Sequence, residues 1–203
     1  MNIEENIKFI NILIGVMEQT LNMEKYRLID HTSDIGIEVF GENLPQLFSN
    51  AGYALFDIIT DLSLVKSKVS KSVTVTGRDL DEIMVNWLGE LLYIYDKERI
   101  ILKEFNIIEL NTSSITSKDK KQDFCQIIAS KNNTEKDKEV AFSFKEKKSP
   151  EEVEWLKLVA EIRGERYDDG VHIINTTVKA ITYHQLKIIK DDIGWHTRVI
   201  MDV

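Results

Sequence analysis

Leu44, Leu47, Phe48, Ala51, Leu55, Ile58, Ile59 and Leu62 recur at helical spacing. Directly before them, Ile35, Ile37 and Val39 alternate with Gly36, Glu38 and Phe40. A period near 3.6 and a period of two belong to different elements, so the chain must switch from strand to helix within a few residues. Gly41 marks the break, Asn43 is placed to cap the helix, and Pro45 is tolerated in its first turn. The pattern then repeats. Val73-Thr-Val75 ends at Gly77, Asp79 and Glu82 have capping-box spacing, and Leu80, Ile83, Met84, Trp87, Leu88, Leu91, Leu92 and Tyr95 form one regular stripe. Such a stripe reads as core packing and not as a cofactor box.

Further strand-like runs follow at 100–110 and at Leu156, Leu158, Ala160 and Ile162. After the Asp168-Asp169-Gly170 turn, an alternating stretch from His172 to Ile189 predicts one long strand. Asp191-Asp192-Ile193-Gly194 turns the chain into a closing strand from Trp195. Two strong helices between strands predict an α+β, two-layer fold, with the helices covering one face of a mixed or antiparallel sheet.

Two segments stand outside this pattern. Residues 1–22 carry Ile3, Ile7, Ile10, Leu13, Ile14 and Met17 on one face and read as an amphipathic helical extension. Their apolar run, Phe9 to Met17, is too short for a membrane span, and Glu4 and Glu5 stand where a secretory signal would want positive charge. Met23 offers an alternative start. In residues 112–152, 17 of 41 positions are charged, and the stretch reads as a solvated insertion with an excursion hairpin from Phe124 and Val140. Without these segments, 23–111 and 153–203 form a core of single-domain size.

Charge and cysteine usage narrow the chemistry. Lys plus Arg is 26 and Asp plus Glu is 34, a net charge of −8, which disfavours gripping nucleic acid by phosphate neutralisation. A lone cysteine, Cys125, excludes an intramolecular disulfide and a multi-cysteine zinc module. His31, His172, His184 and His196 lack metal-ligand spacing, and neither a phosphate-cradling glycine loop nor a nucleophile elbow is present. Each histidine is expected to be a hydrogen-bonded structural residue.

What remains is oxygen chemistry. Asp30-His31-Thr32-Ser33-Asp34 precedes the first buried-type strand, and the final residues alternate through Asp202 and Val203. A tight hairpin at 191–194, with residue 190 facing 195, would set Asp202 opposite Tyr183 and Val203 opposite Thr182. Two negative oxygen groups, the Asp202 carboxylate and the terminal carboxylate of Val203, would then lie on a sheet beside Lys179. Such hard oxygen ligands suit Ca²⁺, Mg²⁺ or Mn²⁺. Two plainer readings stand beside this one: a polar turn at 30–34, and neutralisation of the C-terminal anions by Lys179 and Arg198.

His31-Thr-Ser-Asp-Ile-Gly36 and Val178-Lys-Ala-Ile-Thr-Tyr-His184 resemble the archease family. The likeness extends through Val39-Phe40-Gly41, the Asn86–Tyr93 helix, Gly164-Glu165, His172 and Asp202-Val203. Ser33 stands where the family more often has alanine, and the charged insertion is the larger departure. The resemblance implies a non-catalytic activator of an RtcB-type tRNA-splicing RNA ligase, which uses GTP, a divalent metal and a guanylylated histidine of its own. It implies a calcium site at Asp34, Asp202 and Val203 and an activity-linked lysine at Lys179; Asp30 and His31, close to Asp34 in sequence, are candidate neighbours of that site to which the resemblance assigns no role. RNA is then expected to be held by the ligase, in keeping with the negative charge; no membrane association is expected, and the expected compartment is the cytoplasm, or alternatively the nucleus. The competing expectations are a stand-alone metal-dependent phosphate-ester hydrolase using Asp34 and Asp202, and a chaperone-like module recognising partners through 1–22 or the insertion.

Overall fold

A computed structural model describes residues 24–30, 34–115 and 155–203. The expected extension at 1–22, and the hairpin expected within the insertion, lie outside these residues. The described elements run β1 (Tyr26–Ile29), β2 (Ile35–Gly41), α1 (Leu44–Ile59), a 3-10 turn at Leu62–Leu64, β3 (Val69–Gly77), α2 (Leu80–Glu98) and β4 (Ile100–Ile115). They continue with β5 (Trp155–Arg166), β6 (Ala180–Thr182), β7 (Ile189–Lys190) and β8 (Trp195–Asp202). The fold is α+β, and no described helix is long and apolar enough to cross a membrane.

Among the described residues every strand pairing is antiparallel, and the strands divide into two sheets. One has the order β1-β2-β8-β6, with β7 also on β8; the other is β3-β5-β4. The expectation of one sheet is refined accordingly: α1 packs against β2 and β4, and α2 against β3 and β6, so the helix pair serves both sheets.

Local chemistry starts the helices where the sequence predicts, while α1 ends at Ile59 and leaves Leu62, the last residue of its expected stripe, in the 3-10 turn. Asn43 Oδ1 accepts the Gln46 amide at 2.9 Å, and Gln46 Oε1 accepts the Glu42 amide at 2.8 Å. At the next helix Asp79 Oδ1 accepts the Glu82 amide at 2.8 Å, while Glu82 reaches the Arg78 amide, one residue short of a reciprocal box. α1 buries Leu47, Phe48, Ala51, Leu55, Phe56 and Ile59; α2 buries Ile83, Met84, Trp87, Leu88, Leu91 and Leu92. Trp87 Nε1–H donates to the Phe48 carbonyl at 2.9 Å, satisfying a buried donor and tying the helices together.

The alternating residues of β2 and β8 point Ile37, Val39, Val199 and Met201 into the core. Gly41 is required at the strand–helix switch, because a Cβ there would lie 2.4 Å from the Leu47 nitrogen. β4 runs to Ile115, four residues into the expected insertion, and Ile115 pairs with Trp155. The described flanks of that segment are therefore neighbours in one ladder.

The long strand expected from His172 to Ile189 is not formed. Only Ala180–Thr182 and Ile189–Lys190 are strand, with a bridge between Thr60 and Ile174. Residues between them are held by other contacts: the Asn175 amide donates to the Ile59 carbonyl, and Leu186 turns into the core. Alternation alone cannot distinguish a strand from a loop whose every second residue finds a separate anchor.

Two glycines give opposite expectations. A Cβ on Gly164 would meet the Ile101 carbonyl oxygen at 1.9 Å, whereas one on Gly89, exposed in α2, meets nothing within 4 Å. Gly164→Ala should destabilise the fold by about 3 kcal/mol, from backbone displacement in the β4–β5 ladder. Gly89→Ala should stabilise it by roughly 0.5–1 kcal/mol through helix propensity. Chemical denaturation of both variants checks the signs.

Candidate functional site

The site is built where β8 ends. Seven pairs from Gly41↔Trp195 to Ile35↔Met201 lock β8 against β2, and the same register carried one residue further sets Asp34 opposite Asp202. On the other side of β8, Ala180 pairs with Asp202. Lys179, the residue before β6, is engaged twice: its amide donates to the Asp202 carbonyl at 2.8 Å, and its Nζ donates to the Val203 main-chain oxygen at 2.7 Å. Val178 is buried in the core and anchors the backbone that presents Lys179. Val203 packs against the same core, while the Asp202 side chain is exposed.

The structure thus brings Lys179, Asp202 and Val203 together, while Asp34 directly precedes the last pair of the β2–β8 ladder, Ile35↔Met201. Asp34 is half-buried and has interactions of its own. Asp30 follows β1 and is exposed; His31 lies outside the described residues. The expected pairing of Asp202 with Tyr183 and Val203 with Thr182 is corrected: the ladder is displaced by three residues, because 183–188 leaves the sheet as a loop. Of the two cations expected to neutralise this corner, Lys179 does so at Val203, but Arg198 Nε lies 3.7 Å from Glu38 instead.

Among the described residues, no group of three or more His, Cys, Asp or Glu side chains is gathered for a metal. The donor set on offer is two carboxylates and a main-chain oxygen, all hard. With both carboxylates bidentate, it falls short of the roughly six to eight oxygens that calcium takes. A hard cation fits this chemistry only with open positions filled from outside the chain.

The outward face of the β2–β8 sheet carries a second feature. A cavity of about 380 Å³ is lined by Glu38, Gln185, Lys187, Ile189, His196 and Arg198. Arg198 and Asp202 stand on the same strand face, about 13 Å apart at the rise of a strand. Glu38, which the alternation places outward, is nonetheless buried, because the Arg27 and Arg198 side chains flank it.

His172 behaves as the sequence predicts, as a satisfied structural histidine. It is buried; its Nδ1 accepts the Asp168 amide at 3.0 Å, which leaves Nε2–H to donate to Glu165 Oε1 at 3.2 Å. Glu165 also accepts the Lys66 amide at 2.8 Å and pairs with Lys68 Nζ at 2.7 Å. The Lys68 bond foremost, and then the Lys66 amide and His172, hold the Glu165 carboxyl down to about 2 despite burial. Sequence reasoning also misses Asp81, which binds Lys187 and the Ile188 amide from more than 100 residues away. No local signal could have exposed that contact.

Comparison with known proteins follows the same chain path. A family model described as the Archease protein family matches residues 26–140 and 133–203. Protein archease of Pyrococcus abyssi is 31% identical over 183 residues, covering 89% of this chain and 100% of that protein. Protein archease of Methanosarcina acetivorans is 28% identical over 180 residues, covering 89% and 97%. The solution structure of Methanobacterium thermoautotrophicum protein 1598 superposes with a TM-score of 0.62 at 26% identity, covering 89% of this chain and 100% of that one.

The Glu165 cluster generates a pH prediction. A carboxyl whose folded pKa lies near 2, below the ordinary 4.5, contributes stability that is complete above pH 4.5 and lost as pH falls towards 2. Glu165→Gln should cost about 2 kcal/mol at pH 7, and its deficit relative to wild type should shrink across that acid window. Urea denaturation at pH 7, 4 and 3 measures it.

Proposed function

This chain belongs to the archease family, and on that premise we propose that it is a non-catalytic activator of an RtcB-type tRNA-splicing RNA ligase, promoting the ligase's guanylylation and repeated turnover. The observation that carries the reading is the corner at the end of β8: Lys179 bonded to Val203 at 2.7 Å and to the Asp202 main chain at 2.8 Å, with Asp34 one residue before the ladder's last pair. Positive and negative groups meet there on an exposed edge built by a rigid central strand.

Asp34, Asp202 and the Val203 oxygen would hold a divalent cation, calcium by family resemblance and magnesium or manganese as alternatives. When bound, the ion supplies positive charge that stabilises phosphoryl oxygens and orients groups around them. Lys179 contributes an exposed ammonium bonded to the Val203 oxygen, so exchanging that oxygen for a phosphate or a ligase carboxylate breaks no buried pair. The backbone bond from Lys179 to Asp202 keeps that ammonium at the corner throughout. RNA is then held by the ligase, in keeping with the net charge of −8. The cytoplasm is the proposed compartment, with the nucleus as the alternative.

The test is guanylylation of the cognate ligase with wild type, Asp34→Ala, Asp202→Ala and Lys179→Ala. Each variant should reduce stimulation by about tenfold or more while the ligase's unstimulated rate stays the same. Unchanged stimulation by all three removes the corner from the mechanism, and phosphate-ester turnover without ligase replaces the activator with a hydrolase. Calcium at 100 times its dissociation constant should stabilise wild type by about 2.7 kcal/mol and leave Asp34→Ala and Asp202→Ala unshifted in thermal denaturation.

A further inference from the structure

We infer that Asp81, in the first turn of α2, is a positioning residue that selects the strand register setting Lys179 against Val203. The inference rests on the activator reading for its functional consequence, but its geometry stands apart from it. β7 pairs with β8 as Lys190↔Trp195 and Ile189↔His196. Carried along unbroken, that register would put Tyr183 opposite Asp202 and Thr182 opposite Val203. The observed pairs are Ala180↔Asp202, Ile181↔Met201 and Thr182↔Ile200. The two halves of one hairpin arm therefore differ by three residues. An odd displacement exchanges the faces of a strand, so both registers cannot serve the same side chains.

Those three residues are taken up by the loop 183–188, and several contacts hold it out of the ladder. The Leu186 amide donates to the Tyr183 carbonyl at 3.2 Å, Gln185 takes the left-handed conformation at φ 58°, and the Leu186 side chain is buried. For a residue other than glycine, that conformation is disfavoured and persists only where surrounding contacts impose it. Asp81 supplies two of them: Oδ1 accepts the Ile188 amide at 2.9 Å and Oδ2 accepts Lys187 Nζ at 2.8 Å. The helix N-terminus favours a carboxylate at this position. Released from Asp81, the loop can retract into the ladder, and the slip puts Thr182 opposite Val203 in place of Lys179.

The two bonds are unequal. Lys187 is mostly exposed, so its ion pair is of the weak surface kind, whereas the Ile188 amide is part-buried and its acceptor is specific. The full chain is therefore compared as wild type, Asp81→Ala, Asp81→Asn and Lys187→Met. Amide hydrogen exchange is read at Lys179, whose N–H reports the β6–β8 register, and in the β3-β5-β4 sheet, which reports global folding. In Asp81→Ala, exchange at Lys179 should quicken by about tenfold or more with β3-β5-β4 protection retained, and ligase stimulation should fall to the Lys179→Ala level. Asp81→Asn keeps an acceptor for the Ile188 amide and should restore Lys179 protection. Lys187→Met should match wild type to within about twofold. Unchanged protection at Lys179 in Asp81→Ala, or equal loss in Asp81→Ala and Asp81→Asn, overturns the inference. A Lys179→Ala variant that stimulates like wild type overturns the activator reading instead, and the exchange data still decide the register.

Discussion

The pairing of β2 with β8 is the constraint on which the rest depends. It joins residues 35–41 to residues 195–201, nearly the full described length of the chain, so its contacts cannot form until everything between them has been brought round. Closing a loop of that size costs about 4–5 kcal/mol in chain entropy. Ile37, Val39, Val199 and Met201 are all fully buried at this seam and together contribute roughly 6–12 kcal/mol. The seam is favourable because both strands present their apolar faces to the same helix, α1. The candidate site lies at its far end, where the ladder stops and the side chains turn outward.

Around this seam, polar groups buried by the fold are matched one by one. Asn50 donates to the Phe40 carbonyl at 2.7 Å, joining α1 to the strand before it. Thr60 donates to the Ile173 carbonyl at 2.7 Å, and Glu165 and His172 tie the 168–172 turn to β5 and to the residues before β3. These bonds explain why a stretch as irregular as 167–190 has a defined path although little of it is strand. Leaving such a group unpaired costs more than the bond itself contributes, so each acts as a constraint on position. The site inherits its geometry from them, since Lys179 and β6 lie within that path.

Much of this was legible in the residues. The strand at 35–41, the Asn43 cap, both helical stripes, the turn at Asp168 and the closing strand are local statements, each decided by periodicity and capping chemistry within a few positions. The pairing of Asp202 was not. The hairpin at 191–194 correctly puts Lys190 opposite Trp195, but extrapolating along it fails beyond Ile189. What interrupts the ladder is a contact with Asp81, and no pattern within the hairpin contains that information.

The amino-acid sequence by itself determined the element types, the core stripes, the acidic and oxygen-rich character of the chain end and the family resemblance, because these follow from side-chain chemistry and local spacing. Tertiary structure alone decided that the strands divide into two sheets, that Glu38 is buried between arginines, and that Lys179 meets Val203. Each of those outcomes depends on which distant segments compete for the same strand edge or carboxylate, and that competition is resolved by packing in three dimensions.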